Sequence, residues 1–191
     1  MKYKENLADY LIDRKDIDAE QGLSVGAAYS LFKAAQDLGI VKAFGNTQEA
    51  KLSLWMILAR LIEPGSRIAN VILAQTHAAV DIIGMDKFNE DNLYDAMDLL
   101  ESHQRIIEKR LFNSRYGEQK PVLYLYDVTS SYLEGMKNEY ADFGYNRDKK
   151  RGKMQIVIGL LTDDNGLPIS IEVFQGNTSD VKTFTDQETC R

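Results

Sequence analysis

Asp127 is the residue of this chain whose position most clearly points to chemistry. It lies in the run PVLYLYDVTSSYLEG, which alternates between two sets of side chains. One set is Leu123, Leu125, Asp127 and Thr129, and the other is Val122, Tyr124, Tyr126 and Val128. The alternation predicts a largely buried β-strand. An unpaired carboxylate beneath a sheet is costly, so we expect a metal ion, a basic partner or a solvent-open strand end to compensate Asp127. The alternative is a turn-forming Asp at the strand end.

Two further β-rich runs follow, at residues 155–162 and 169–174, and they flank the segment DDNG. Asn-Gly between such runs is a strong hairpin signal, and Gly166 is expected to supply the positive φ that the turn needs. The sequence therefore predicts three consecutive strands in an antiparallel meander, with Asp127 on the first.

Four helices are predicted before these strands. They run from Ser24 to near Gly39, from Gln48 to Ile62, from the capping residue Ser66 to Ala78, and from about Glu90 to Phe112. The predicted core cluster is Trp55 with Leu54, Ile57, Leu58 and Leu61. Helices followed by strands are typical of an α+β unit or of two domains. The boundary is expected in NSRYGEQKP, giving regions 1–116 and 117–191.

The segments LYDVTSSYLEG, ADFGYNRDKK, QIVIGLL, DDNGLPI and VFQGNTSD, in this order, resemble bacterial insertion-sequence transposases of the DDE superfamily. Within that superfamily, the resemblance is to the subgroup whose first catalytic strand contains the sequence Asp-Val-Thr-Ser. LARLIEPGSRIAN and NLYDAMDLLESHQRIIEKRLF also resemble the helical region that precedes the catalytic core there. The resemblance implies a helical N-terminal region, with a DNA-binding or dimerisation role. The first three antiparallel strands of an incomplete ribonuclease-H-like catalytic domain would follow.

In that family two Asp and one Glu bind two divalent cations, Mg²⁺ or Mn²⁺, and the intact protein hydrolyses phosphodiesters and transfers strands. By its place in the motif, Asp127 is the first of these carboxylates. The resemblance places the second Asp and the Glu beyond the GNTSD segment, so Asp180 is expected to cap a helix or brace a loop instead. We therefore expect an N-terminal part of a transposase that is inactive alone. The alternative is a catalytically inactive remnant that only binds DNA or a full-length transposase.

One locally basic segment follows the first strand. It comprises Arg147, Lys149, Lys150, Arg151 and Lys153, and it is preceded by Tyr140, Phe143 and Tyr145. It is interpreted either as a contact to DNA phosphates or as a solvated loop. Arg60, Arg67, Arg105 and Lys109 of the helical part allow the same two interpretations. The partners that the resemblance implies are DNA, as element ends and target, and a homodimer or full-length transposase.

Composition limits the other classes of function. The 191 residues carry a formal net charge of −6, which argues mildly against a nucleic-acid-binding protein, although the location of charge matters more than its sum. The single cysteine, Cys190, excludes an intrachain disulfide and a zinc cluster. No apolar run is long enough for a membrane span and the N-terminus is too polar for a signal peptide, so a cytoplasmic protein is expected.

An actin-like or sugar-kinase-like ATPase is the rival enzyme class, because its first strand also ends in an Asp followed by hydroxyl residues. Phosphate loops of that kind need glycine close to the Asp, so that backbone amides can approach the nucleotide. Here VTSS follows Asp127 directly, and Gly135 is the first glycine after it. The spacing disfavours an ATPase.

Overall fold

The computed structural model describes residues 21–135, 137–144, 152–179 and 182–183. In this part of the chain the helices are α1 (Gly26–Asp37), α2 (Ile40–Phe44), α3 (Gln48–Ile62), α4 (Arg67–Thr76), α5 (Ala79–Ile83) and α6 (Glu90–Tyr116). The strands are β1 (Tyr124–Tyr132), β2 (Gln155–Asp163) and β3 (Pro168–Gln175). The predicted mixture of helices and antiparallel strands is confirmed. No described helix is both long and apolar enough to cross a membrane.

The chain divides into two compact units. The first is Met1–Leu38 with Gly45–Leu99, and the second is Gly39–Phe44 with Leu100–Arg191. Helix α6 contributes residues to both units, because the division falls after Leu99. The second unit therefore contains the C-terminal part of α6 together with the sheet.

Helix α3 forms the core of the first unit. Thr47 caps its N-terminus by accepting a hydrogen bond from the Ala50 amide, at 3.2 Å. Trp55 is 0% exposed, and its indole nitrogen donates to the backbone oxygen of Asn70 at 3.0 Å. The indole donor is thus satisfied inside an apolar core, as a buried Trp requires.

The predicted core cluster on α3 is only partly correct. Leu54 and Leu58 are buried beside Trp55, as expected, but Ile57 and Leu61 are exposed. Residues four apart lie on the same side of a helix, so Ile57 and Leu61 share one side while Leu54 and Leu58 share another. The inclusion of Ile57 and Leu61 in the core was wrong.

The third predicted helix begins at its expected cap but ends early. Ser66 accepts a hydrogen bond from the Ala69 amide at 3.2 Å, which confirms the capping prediction. The helix stops at Thr76 because the chain there bonds to Ser24 instead. The Ser24 amide donates to the Thr76 oxygen and the Ala78 amide donates to the Ser24 oxygen, both at 3.0 Å. No glycine or proline marks this break, so the local sequence did not predict it.

The three strands form one antiparallel sheet in the order β1-β2-β3. Strands β1 and β2 pair along their whole lengths, from Tyr124 opposite Asp163 to Tyr132 opposite Gln155. A register shift between Leu161 and Thr162 interrupts the pairing of β2 with β3. The predicted meander is confirmed.

The β2–β3 hairpin is held by a buried carboxylate. Asp163 is 1% exposed, and it accepts hydrogen bonds from the Tyr116 hydroxyl at 2.7 Å and from the amides of Asn165 and Leu167 at 3.0 and 2.7 Å. Gly166 has a φ of 78°, as the Asn-Gly signal predicted. Burial acts to raise the pKa of Asp163, but the hydrogen bonds from Tyr116, Leu167 and Asn165 outweigh it, and the pKa is lowered.

The outer edge of β3 is occupied by side chains of α6. The Gln104 amide donates to the Ile171 oxygen at 2.6 Å, and the Glu108 carboxylate accepts from the Ile171 amide at 3.1 Å. Glu108 also accepts from the Ser170 hydroxyl at 3.0 Å, and Arg115 donates to the Pro168 oxygen at 2.8 Å. These side chains take the place of a further strand along this stretch of edge and protect it from pairing with another chain.

We expect Asp163→Asn to lower the midpoint of thermal unfolding near neutral pH, because it removes the charged acceptor of three hydrogen bonds. A carboxyl group whose pKa is lowered by folding stabilises above its ordinary pKa of 3.8, and this stabilisation is lost as the pH falls through the lower folded value. The difference between wild type and variant should therefore shrink in that acidic range. Asp164→Asn, at the exposed neighbour in the same turn, is the matched control. A difference that did not change with pH would contradict the role of the carboxylate charge.

Candidate functional site

Asp127 lies in the middle of β1, and its side chain is exposed. It pairs across the sheet with Leu160 of β2, which in turn pairs with Ile171 of β3. No other described side chain forms a hydrogen bond or ion pair with its carboxylate. The prediction of a largely buried strand was therefore wrong for the face that carries Asp127. Among the described residues, the Asp127 carboxylate is exposed to solvent and has no protein partner.

The face of the sheet that carries Asp127 is otherwise mostly apolar, and we call it the open face. Paired residues share a face and alternate residues do not, so its members follow from the register. They are Leu125, Asp127, Thr129 and Ser131 of β1, Ile156, Ile158, Leu160 and Thr162 of β2, and Ile171, Val173 and Gln175 of β3. Leu125 is 48% exposed and Val173 is 45% exposed. An apolar surface of this kind that remains in water is typical of an interaction site or of an incomplete core.

The polar members of the open face are concentrated on β1, where Thr129 and Ser131 follow Asp127 at alternate positions. Carboxylate and hydroxyl oxygens are hard ligands suited to Mg²⁺, but a metal pair needs several carboxylates. Among the described residues, no group of three His, Cys, Asp or Glu side chains is placed to hold a metal ion. Asp180 lies outside the described residues. Among the described residues that share the open face, Asp127 is the sole carboxylate.

Most of the predicted DNA-binding segment lies outside the described residues, namely Arg147, Lys149, Lys150 and Arg151 together with Tyr145. Lys153 is described, and its amino group pairs with the exposed carboxylate of Glu134. This ion pair links the segment just before β2 to the segment just after β1.

Backbone contacts anchor the chain on both sides of that basic segment. Asp142 and Gln155 exchange backbone hydrogen bonds of 3.0 and 3.1 Å, and the Gln155 side chain donates to the Gly176 oxygen at 2.9 Å. A Cβ on Gly144 would lie 1.9 Å from the Gly176 oxygen, so this close approach requires glycine. The residues that flank the basic segment are thus fixed to the start of β2 and the end of β3.

The second feature is a groove on the other side of the sheet from Asp127, and the sequence indicated only some of its residues. It is an open groove of about 530 Å³ between the C-terminal part of α6 and the sheet. Its lining includes Arg105, Glu108, Lys109, Phe112, Lys120, Tyr124 and Glu172. The i, i+4 pair Arg105 and Lys109 was visible as a basic side of the helix. The other residues meet only through the packing of helix against sheet.

No protein-family model matches the chain, and no curated protein or solved structure is significantly similar to it.

We expect Asp127→Ala to change the free energy of unfolding by less than about 0.5 kcal/mol, because the carboxylate is exposed and no described side chain pairs with it. Val128→Ala is the matched control, since Val128 is buried on the opposite face of the same strand and its truncation should cost more than about 1 kcal/mol. Chemical denaturation of the two variants compares them. Equal destabilisation would show that Asp127 is a structural residue.

Proposed function

We propose that this chain is the N-terminal part of a DDE-type transposase of an insertion sequence, with β1, β2 and β3 as the first strands of a ribonuclease-H-like catalytic domain. The observation that carries the proposal is the exposed carboxylate of Asp127, midway along the first strand of an antiparallel meander. The resemblance of the DVTSS, FGYNRDKK and FQGNTSD segments supports it. So does the order of elements, with the helices preceding the strands.

In this proposal Asp127 is the first carboxylate of the catalytic trio. Its place in a strand that is paired along its whole length holds the oxygen ligands in a fixed position, as a metal site requires. Two bound Mg²⁺ or Mn²⁺ ions would stabilise the attacking and leaving oxygens of phosphodiester hydrolysis and strand transfer. The remaining Asp and Glu would come from sequence beyond the NTSD segment.

The second candidate function is a catalytically inactive form that binds DNA or a full-length transposase. It is favoured by the lack of a metal-binding trio among residues 21–135, 137–144, 152–179 and 182–183. In this case the apolar open face would contact protein, and Asp127 would have no role in chemistry. The two candidates differ in whether a chain extended by the downstream coding sequence cleaves DNA.

We expect the purified 191-residue chain, supplied with Mg²⁺ or Mn²⁺ and candidate element ends, neither to nick nor to join DNA, because one carboxylate does not fix two hard cations. A protein extended through the second Asp and the Glu should cleave. In that protein Asp127→Ala should abolish cleavage and preserve DNA binding, while Asp164→Ala, an exposed carboxylate in the hairpin turn, should preserve both. Cleavage and electrophoretic shift assays measure the two properties. Nicking by the unextended chain that Asp127→Asn removed would overturn the assignment and make Asp180 a candidate ligand.

The basic segment is tested separately in the extended protein. Replacing Lys149, Lys150 and Arg151 by Gln should weaken binding to all DNA sequences alike. Because each phosphate contact contributes about −0.9 to the slope of log K against log salt, the slope should become shallower. An unchanged slope would assign the segment to solvated surface.

A further inference from the structure

The groove beside α6 combines cationic side chains with aromatic surface. Arg105, Lys109 and Lys120 are exposed around it, and Phe112 and Tyr124, which are half-buried, line it as well. Sites for single-stranded nucleic acid are built from these two components, since cations contact the backbone and a base stacks on an aromatic ring. The volume of about 530 Å³ is in the range of sites that hold a small ligand.

The charge of the groove differs in sign from that of the whole chain. Three cations and two carboxylates, Glu108 and Glu172, line it, whereas the chain carries a formal charge of −6. Glu108 already accepts hydrogen bonds from Gln104, Ser170 and Ile171, so both of its carboxylate oxygens have donors within the protein. A local excess of positive charge in an acidic protein is complementary to a phosphate-bearing ligand.

We propose that this groove binds single-stranded DNA, with backbone phosphates at Lys109, Lys120 and Arg105 and an unpaired base against Phe112 or Tyr124. The choice of DNA over RNA rests on the proposed function. The groove lies on the face of the sheet opposite Asp127, because Tyr124 and Asp127 are three positions apart along β1 and successive side chains of a strand alternate between its faces. It is therefore a second DNA contact, and it does not hold the phosphate that reacts at Asp127.

The test is fluorescence anisotropy of the 191-residue chain with labelled oligothymidylate, measured over a series of salt concentrations. Lys109→Gln combined with Lys120→Gln should weaken binding roughly 10- to 100-fold at low salt and make the salt slope shallower by about 1.4, since single-strand contacts contribute about −0.7 each. Phe112→Leu should weaken binding about 5- to 150-fold, the loss of one stacked base, and leave the slope unchanged.

The matched control is Lys42→Gln combined with Lys87→Gln, which removes the same charge at exposed positions that do not line the groove. Circular dichroism and thermal melting verify that each variant is folded.

The proposal is supported if the groove variants lose affinity and the control does not. It is overturned if control and groove variants bind alike, if wild type does not bind oligothymidylate, or if it prefers duplex DNA. Stronger binding of oligouridylate would overturn the choice of DNA. The Asp127 cleavage assay reports on the opposite face of the sheet, so either proposal can fail while the other holds.

Discussion

The antiparallel register of the sheet is the constraint on which the candidate site depends, and the buried carboxylate of Asp163 helps to fix it. Asp163 joins the hairpin turn, through the amides of Asn165 and Leu167, to the end of α6, through Tyr116. A slip of one residue in the pairing of a strand would exchange the two faces of that strand. The hydrogen bonds of Asp163 therefore help to determine that Asp127 faces outward, although the two carboxylates lie on different faces.

Helix α6 covers part of one edge of the described sheet and also lines the groove. Gln104 and Glu108 bond to the backbone of Ile171, so side chains of the helix cover part of the β3 edge. The same helix lines the groove beside Tyr124 and Ser170. Helix α6 thus both protects the edge of β3 and contributes charged side chains to the groove. On the open face, by contrast, Leu125, Ile171 and Val173 remain partly exposed to water.

The two faces of the sheet suit different interactions. The open face combines one carboxylate and two hydroxyl side chains of β1 with the apolar side chains of β2 and β3, which fits a metal-binding residue next to a surface that another element covers. The opposite face carries the aromatic and cationic groove. Because the faces are separated by the sheet, substitutions on one can be tested without altering the other.

The sequence by itself determined the elements whose signals are local. Ser66 caps its helix as predicted, Asn165 and Gly166 form the predicted turn, and alternation along β1 assigned Asp127 to one face. Tertiary structure decided which face is exposed, because alternation separates two faces without saying which one is covered. It also ended α4 at Thr76, where bonds to Ser24 replace the helical ones. The groove is the clearest case, since Lys120 and Tyr124 meet Arg105 and Lys109 only when α6 packs beside the sheet.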